Sequence, residues 1–255
     1  MKILSFNVNG IRSALNKGFI SWLQATDPDI ICLQEIKATI DQIPVGLFEQ
    51  LGYFCYWYPA QKKGYSGVAI LSKILPIHVE YGSGIRESDE EGRVIRADFE
   101  YFSVMSVYIP SGSSGELRHT FKMQWLESFL QYINQLRISV PNLIISGDYN
   151  ICHQAIDIHN PKSNVNSSGF LPQERDWLTQ FLELGFVDSL RFFNQEPHLY
   201  TWWSFRGNAR TRNLGWRIDY HFTSASLTNL LHQCCILSDV QHSDHCPVLL
   251  ELHIS

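Results

Sequence analysis

The chain has 255 residues, 45% apolar and 18% charged, with 15 Phe, 11 Tyr and 7 Trp. That composition supplies a sizeable core and excludes a disordered or tail-rich protein. The net charge of -5 excludes a globally basic nucleic-acid binder, so any grip on a polyanion has to rest on local charge.

Met1–Phe6 has no signal-peptide architecture and runs straight into a strand pattern over Lys2–Val8. Leu15, Phe19 and Leu23, spaced by four, predict a helix. Strands are predicted over 29–34, 54–58, 67–72, 94–99 and 103–109, each rich in Val, Ile, Phe or Tyr and bounded by turn residues. From Phe121 to Leu136 the apolar residues Trp125, Leu126, Phe129, Leu130 and Ile133 mark a longer helix, and 142–146 reads as a strand. Pro172 opens a third helix, with acidic Glu174 and Asp176 ahead of Trp177, Leu178 and Phe181. The last predicted strands cover 218–223, 236–240 and 248–254.

Many strands and few long helices imply an α/β architecture, two packed sheets with helices outside, in a single domain over 1–255. No apolar stretch reaches the roughly 18 residues needed to span a membrane. The six cysteines form no Cys-x-x-Cys pair and show no zinc spacing. A reduced, cytoplasmic monomer is the expectation.

Polar residues gather where apolar runs stop. Asn7 and Asn9 follow the first strand, Glu35 the second, Tyr108 another, and Asp148 and Asn150 a fourth; Asp219 and the Ser243-Asp244-His245 segment complete the set. One Asp or Asn after a strand is an ordinary turn residue. Six such segments are harder to dismiss, because carboxylates at a core edge are costly unless they bind something. Glu35, Asp148, Asp219 and Asp244 are hard oxygen ligands suited to Mg²⁺ or Mn²⁺.

These segments resemble the exonuclease III family of apurinic/apyrimidinic (AP) endonucleases, within the endonuclease/exonuclease/phosphatase superfamily. The likeness runs from Ser5-Phe6-Asn7-Val8-Asn9-Gly10 to Ser243-Asp244-His245-Cys246-Pro247. Its more specific parts are Leu33-Gln34-Glu35-Ile36-Lys37, Gly169-Phe170-Leu171-Pro172-Gln173-Glu174-Arg175 and Gly215-Trp216-Arg217-Ile218-Asp219. The resemblance implies a deoxyribonuclease-like four-layer sandwich, two packed mixed β-sheets flanked by helices.

It also implies roles. Glu35 resembles the principal metal ligand, with Asn7 beside it, and Asp244 a further ligand, direct or through water. Asp148 resembles the acid that orients or deprotonates the attacking water, and Asn150 its positioning partner; both, with His245, border the metal site. His245 resembles the histidine on the scissile phosphate, Asp219 the carboxylate that charges it, and Tyr108 the tyrosine near the phosphate. The implied cofactor is Mg²⁺, with Mn²⁺ as substitute, as one or two ions. Lys37 matches a lysine beside the metal cluster and is a candidate DNA contact.

The implied substrate is double-stranded DNA, abasic or blocked at its 3′ end. Trp202, Trp216 and Ile218 match the walls of a pocket for a base-free sugar, whereas Trp203 reads as core. Asn160, Lys162 and Asn164 match a phosphate-contacting loop. Arg206 and Arg210 lie in a stretch with no acid and suit backbone contacts. Ser111, Ser113, Ser114 and Ser167 depart from the family pattern and leave the strength of DNA grip open. A general 3′-exonuclease without lesion preference, and a non-enzymatic nucleic-acid-binding regulator on the same scaffold, are the alternatives.

Overall fold

The computed structural model describes residues 1–254. One six-stranded sheet contains β1 (Lys2–Asn7), β2 (Ile30–Gln34), β3 (Phe54–Tyr58) and β4 (Val68–Ser72). The other is built from β5 (His78–Tyr81), β6 (Val94–Asp98), β7 (Ser103–Tyr108), β8 (Leu143–Asp148) and β9 (Phe186–Asp188). A short ribbon, β10 (Trp202–Trp203) with β11 (Gly215–Trp216), precedes β12 (Asp219–Ser224), which joins the second sheet. β13 (Leu231–Ile236) and β14 (Val248–Leu252) return to the first. The orders are β13-β14-β1-β2-β4-β3 and β5-β6-β7-β8-β12-β9. Both sheets are mixed: β1–β2 and β7–β8 are parallel, and the remaining pairs in them are antiparallel.

Strand alternation builds three cores. Ile3, Ile30, Cys32, Val104 and Ile144 meet between the sheets. Leu4, Phe6, Ile31 and Leu33 face outward under Ile11, Phe19, Leu23 and Phe48. Met105, Val107, Ile145 and Phe222 face outward under Trp125, Phe129, Trp177 and Phe181, which come from the helices Glu116–Ser139 and Pro172–Glu183. The predicted four-layer sandwich is therefore the one found.

Two expectations are corrected. The helix read through Leu15, Phe19 and Leu23 is two helices, Ile11–Asn16 and Phe19–Thr26, because the chain turns at Lys17-Gly18. The strand predicted over 236–240 lies earlier, as β13. Leu237 and Val240 supply the apolar signal, but they pack under the outer helices rather than in the sheet. The real strand is an edge with exposed His232 and Gln233 and a register irregularity there, so its pattern is weak.

Candidate active site

Along the strands that face the intersheet space, side chains change from apolar to polar in one direction. β1 runs Ile3, Ser5, Asn7; β7 runs Val104, Ser106, Tyr108; β8 runs Ile144, Ser146, Asp148; β12, reversed, is polar along its whole inner face, with Thr223, His221 and Asp219. Register brings the polar ends together, with Asn7 opposite Gln34, and Asp148 opposite both Tyr108 and Asp219. Beneath them lies a layer of buried hydrogen bonds. Gln34 Nε2 donates to Ser106 Oγ at 3.0 Å, and Ser106 Oγ to the Leu33 carbonyl at 3.1 Å. His221 Nε2 donates to the Val248 carbonyl at 2.9 Å, so its Nδ1 accepts from Ser146 Oγ at 2.7 Å. Gly147 is required just before Asp148, because a Cβ there would meet the Val107 carbonyl oxygen at 1.9 Å.

Left-handed backbone recurs at the site in residues that are not glycine: Asn9 (φ 43°), Glu35 (φ 52°), Lys37 (φ 49°) and Asn150 (φ 50°). Each costs on the order of 1 kcal/mol or more, a strain typical of functional turns. At Glu35 the turn is held by neighbouring backbone. Gly10 N–H donates to the Glu35 carbonyl at 2.8 Å, and Lys37 N–H to the Ser66 carbonyl at 2.9 Å.

The acids converge around Asn7. Its Nδ2 donates to Glu35 Oε1 and to Asp148 Oδ2, both at 2.8 Å, while its Oδ1 accepts from Asn9 N–H. Asn7 thus presents its amide hydrogens, not its carbonyl, to the two carboxylates. Ligand atoms of Glu35, Asp148 and His245 lie within 4.8 Å of one another. Glu35 and Asp148, two hard carboxylates drawn together by a shared amide, are the oxygen donors there that fit a small divalent cation. Asp244 stands outside this closest group. Its Oδ1 accepts from Asn9 and Ser243, and its Oδ2 from Trp202 Nε1 at 2.9 Å.

Protonation follows from these contacts. Burial opposes ionisation of Glu35, but the Lys37 ammonium at 2.6 Å and the Asn7 hydrogen bond override it and hold the carboxyl below its usual value. Burial, then the Asp219 charge, lift the Asp148 carboxyl to about 8. Burial works against a charged His245, yet Asp219, 2.9 Å from Nδ1, raises the imidazole to about 10. His245 Nε2 then points toward Asp148 Oδ2 at 3.9 Å. A charged imidazole does not ligate a cation, so Nε2 is better suited to an anion. Tyr108 is buried over Arg93, and burial with the Glu35 charge pushes its hydroxyl well up, so it remains a donor at neutral pH.

A cavity of about 600 Å³ opens beside these groups. Trp202, Trp216 and Ile218 form its apolar wall, the two indoles meeting edge to face at 6.1 Å. Ser111, Gly112, Ser113, Ser167 and Gly169 line other parts of it. The ribbon pairs Trp202 directly with Trp216, which explains why residues fourteen apart share one wall. Trp203, on the opposite face, is core: it is 4% exposed and donates to Asn213 Oδ1.

The candidate DNA contacts divide. Lys162, Asn160 and Arg206 are exposed. Asn164 is turned back on its own loop, donating to the His159 and Asn160 carbonyls. Lys37 is engaged by Glu35 and Asn9. The Arg210 guanidinium donates to the carbonyls of Ser243, Ser238 and Val240 and lies over Trp203. It supports the Asp244–His245 segment from behind. Two site residues have no role assigned in the sequence reading. Asn9 joins Lys37 to Asp244. Thr201 Oγ1 accepts from the N–H groups of Ile218 and Asp219 at 3.0 and 3.1 Å. Asn9 lies in a segment already notable for its asparagines, whereas nothing local distinguishes Thr201.

The model of the endonuclease/exonuclease/phosphatase family matches residues 4–245. The chain is 48% identical over 256 residues to the exodeoxyribonuclease of Bacillus subtilis, covering both proteins fully. It is 41% identical to the DNA repair nuclease APEX1 of Danio rerio, covering all of this chain and 83% of that protein. Among solved structures, an AP endonuclease from Archaeoglobus fulgidus superposes with a TM-score of 0.91 at 32% identity, and the Neisseria 3′ phosphatase NExo bound to a product DNA hairpin with 0.93 at 30%; both alignments cover each chain fully. A site that joins two carboxylates, a charged histidine and an indole-walled cavity thus sits in a chain that belongs to the endonuclease/exonuclease/phosphatase family, as a DNA-repair phosphodiesterase of the exodeoxyribonuclease and AP endonuclease type.

Proposed function

We propose that the enzyme cleaves duplex DNA 5′ to abasic sites and trims blocked 3′ ends, with Mg²⁺ or Mn²⁺ as cofactor. The observation that carries this reading is the position of the Trp202–Trp216–Ile218 wall, which shares one cavity with Glu35 and His245. Flat apolar walls accept a bare deoxyribose, and a sugar that has lost its base costs less to unstack. The Neisseria relative, whose solved structure is described as a 3′ phosphatase bound to a product hairpin, supports the trimming activity.

Glu35 and Asp148 would hold the cation, kept in register by Asn7. When bound, the ion neutralises charge developing on the phosphate and the leaving 3′-oxygen. The remaining work belongs to side chains. With a cation beside it to offset burial and the Asp219 repulsion, Asp148 would be ionised and would take a proton from the attacking water; it is held by Asn150 N–H at 2.8 Å and Asn7 Nδ2 at 2.8 Å. His245, kept cationic by Asp219, donates from Nε2 to a non-bridging phosphate oxygen. Tyr108 offers a second neutral donor. Exposed Lys162, Asn160 and Arg206 meet backbone phosphates.

The test is a matched pair of duplexes, identical but for one abasic site. Faster incision of the abasic duplex is expected. Equal rates would replace this reading with a general 3′-exonuclease.

A further inference from the structure

A buried ion pair stands behind the cavity, and no step above uses it. Lys122, from the helix Glu116–Ser139, and Glu174, from the first turn of Pro172–Glu183, are both fully buried and lie 2.7 Å apart. We propose that Lys122 and Glu174 are a positioning pair that holds the catalytic turn and the cavity wall in one register.

Every bond the pair makes goes to one of those two parts. Lys122 Nζ also donates to the backbone carbonyl of Asn150 at 2.9 Å. Glu174 Oε2 accepts from Gly169 N–H at 2.6 Å and Leu171 N–H at 3.0 Å, and Oε1 from Ser168 Oγ at 3.1 Å. Ser168 and Gly169 line the cavity, and Asn150 caps Asp148. The carbonyl that Lys122 grips also lies beside Gly169, next to the wall. Gly169 has φ +96°, and a Cβ there would meet the Trp216 ring at 2.9 Å and the Asn150 carbonyl oxygen at 3.1 Å. Cys152 N–H closes the arrangement by donating to the Gly169 carbonyl at 2.7 Å.

Stability alone does not account for such a pair. Desolvating two charges is expensive, and well-packed apolar residues of similar volume commonly do as well or better. What an apolar pair does not supply is a fixed donor for Asn150 and fixed acceptors for the Ser168–Leu171 turn. Asn150 sits in left-handed backbone, so without an external hold its carbonyl and N–H are free to relax together. A relaxation well under an ångström would misalign Asp148 toward its water.

The inference rests on the proposed role of the Asp148–Asn150 turn, and a double-mutant cycle separates the two. The variant is Lys122→Met with Glu174→Gln, which removes both charges and leaves none unpaired. On abasic duplex with Mg²⁺, kcat should fall roughly 10–100-fold with KM nearly unchanged. In an Asn150→Ala background the same substitutions should cost less than about threefold, because the geometry they protect is already lost. Amide exchange at Gly169 and Cys152 should quicken while that of β8 stays slow. An equal loss in both backgrounds, or an unchanged kcat, overturns the positioning role. Should the double variant fail to fold, Glu174→Gln alone enters the same cycle. A normal kcat for Asn150→Ala itself would instead defeat the catalytic reading of the turn, and the positioning role with it.

Discussion

Asp148 and Asp219 are direct cross-strand partners on β8 and β12, and His245 stands at unequal distance from them, with Nδ1 2.9 Å from Asp219 and Nε2 3.9 Å from Asp148. Two carboxylates side by side on a buried sheet face repel each other. An imidazolium set between them relieves that repulsion and stays charged as a result. The closer partner fixes the ring, and the farther nitrogen has no partner at hydrogen-bond distance among the described residues.

The pH profile should report this arrangement. Asp219 is the main attraction raising His245 to about 10, so the imidazolium persists through neutral pH and is lost as pH rises through that value. Asp219→Asn removes the largest attraction and leaves only those of Asp148 and Asp244 against burial, which shifts the balance toward the neutral ring. The alkaline limb of kcat should move down by at least about one unit, with kcat at neutral pH reduced by one or more orders of magnitude. An unmoved limb would mean that His245 is not the group titrating there.

Chelation should abolish hydrolysis, and Mg²⁺ or Mn²⁺ should restore it. Glu35→Ala should raise the Mg²⁺ concentration for half-maximal activity by roughly tenfold or more, because it removes one of the two carboxylates in the cluster. Full turnover in excess chelator would sink the metal assignment.

Trp216→Ala opens the cavity and deletes half of its indole wall. Cleavage of abasic duplex should fall roughly 10-fold or more, while cleavage of intact duplex falls less, so discrimination narrows. Rates on the two substrates, measured for wild type and variant, decide the matter; an identical loss on both would make Trp216 a packing residue.

The basic residues near the site should separate by role. Arg206→Ala and Lys162→Ala, both exposed, should weaken DNA binding on every sequence and flatten the logarithmic salt dependence by about one each. Arg210→Ala should instead lower the melting temperature and impair turnover, since its guanidinium is committed to three protein carbonyls. Binding isotherms at several salt concentrations distinguish the two outcomes.

His221 gives a stability prediction. Burial lowers its pKa to about 4, below the 6.5 of a free histidine. The folded state therefore resists protonation that the unfolded state accepts, and stability present above about 6.5 drains away as pH falls toward 4. The loss approaches roughly 3 kcal/mol by the lower pH. A His221→Leu variant should show a shallower decline of urea midpoint between pH 7 and 4; a decline as steep as wild type would place the sensitivity elsewhere.

The strand-end acids were legible because strands in a sandwich stop at a common edge, so Glu35, Asp148 and Asp219 announce a site even when far apart in sequence. Their division of labour was legible only through family resemblance. Three features were not legible at all. Arg210 read as a free cation, and only three-dimensional contacts reveal that a set of carbonyls claims it. Lys122 lay unnoticed on a helix, since a lysine among apolar residues looks like a solvent-facing position. The edge strand β13 was displaced in the reading because apolar Leu237 and Val240 serve a different core.

The reaction centre straddles a seam. Asn7 and Glu35 ride on one sheet or its margin, Tyr108, Asp148 and Asp219 on the other, and between them the packing is hydroxyl, amide and imidazole rather than hydrocarbon. Hydrocarbon contacts slide; directional bonds such as Gln34 to Ser106 lock one sheet against the other at a set spacing. The enzyme thus carries its own gauge block: the distance from Glu35 to Asp148, the two carboxylates proposed to hold the cation, is calibrated by a layer of buried hydrogen bonds.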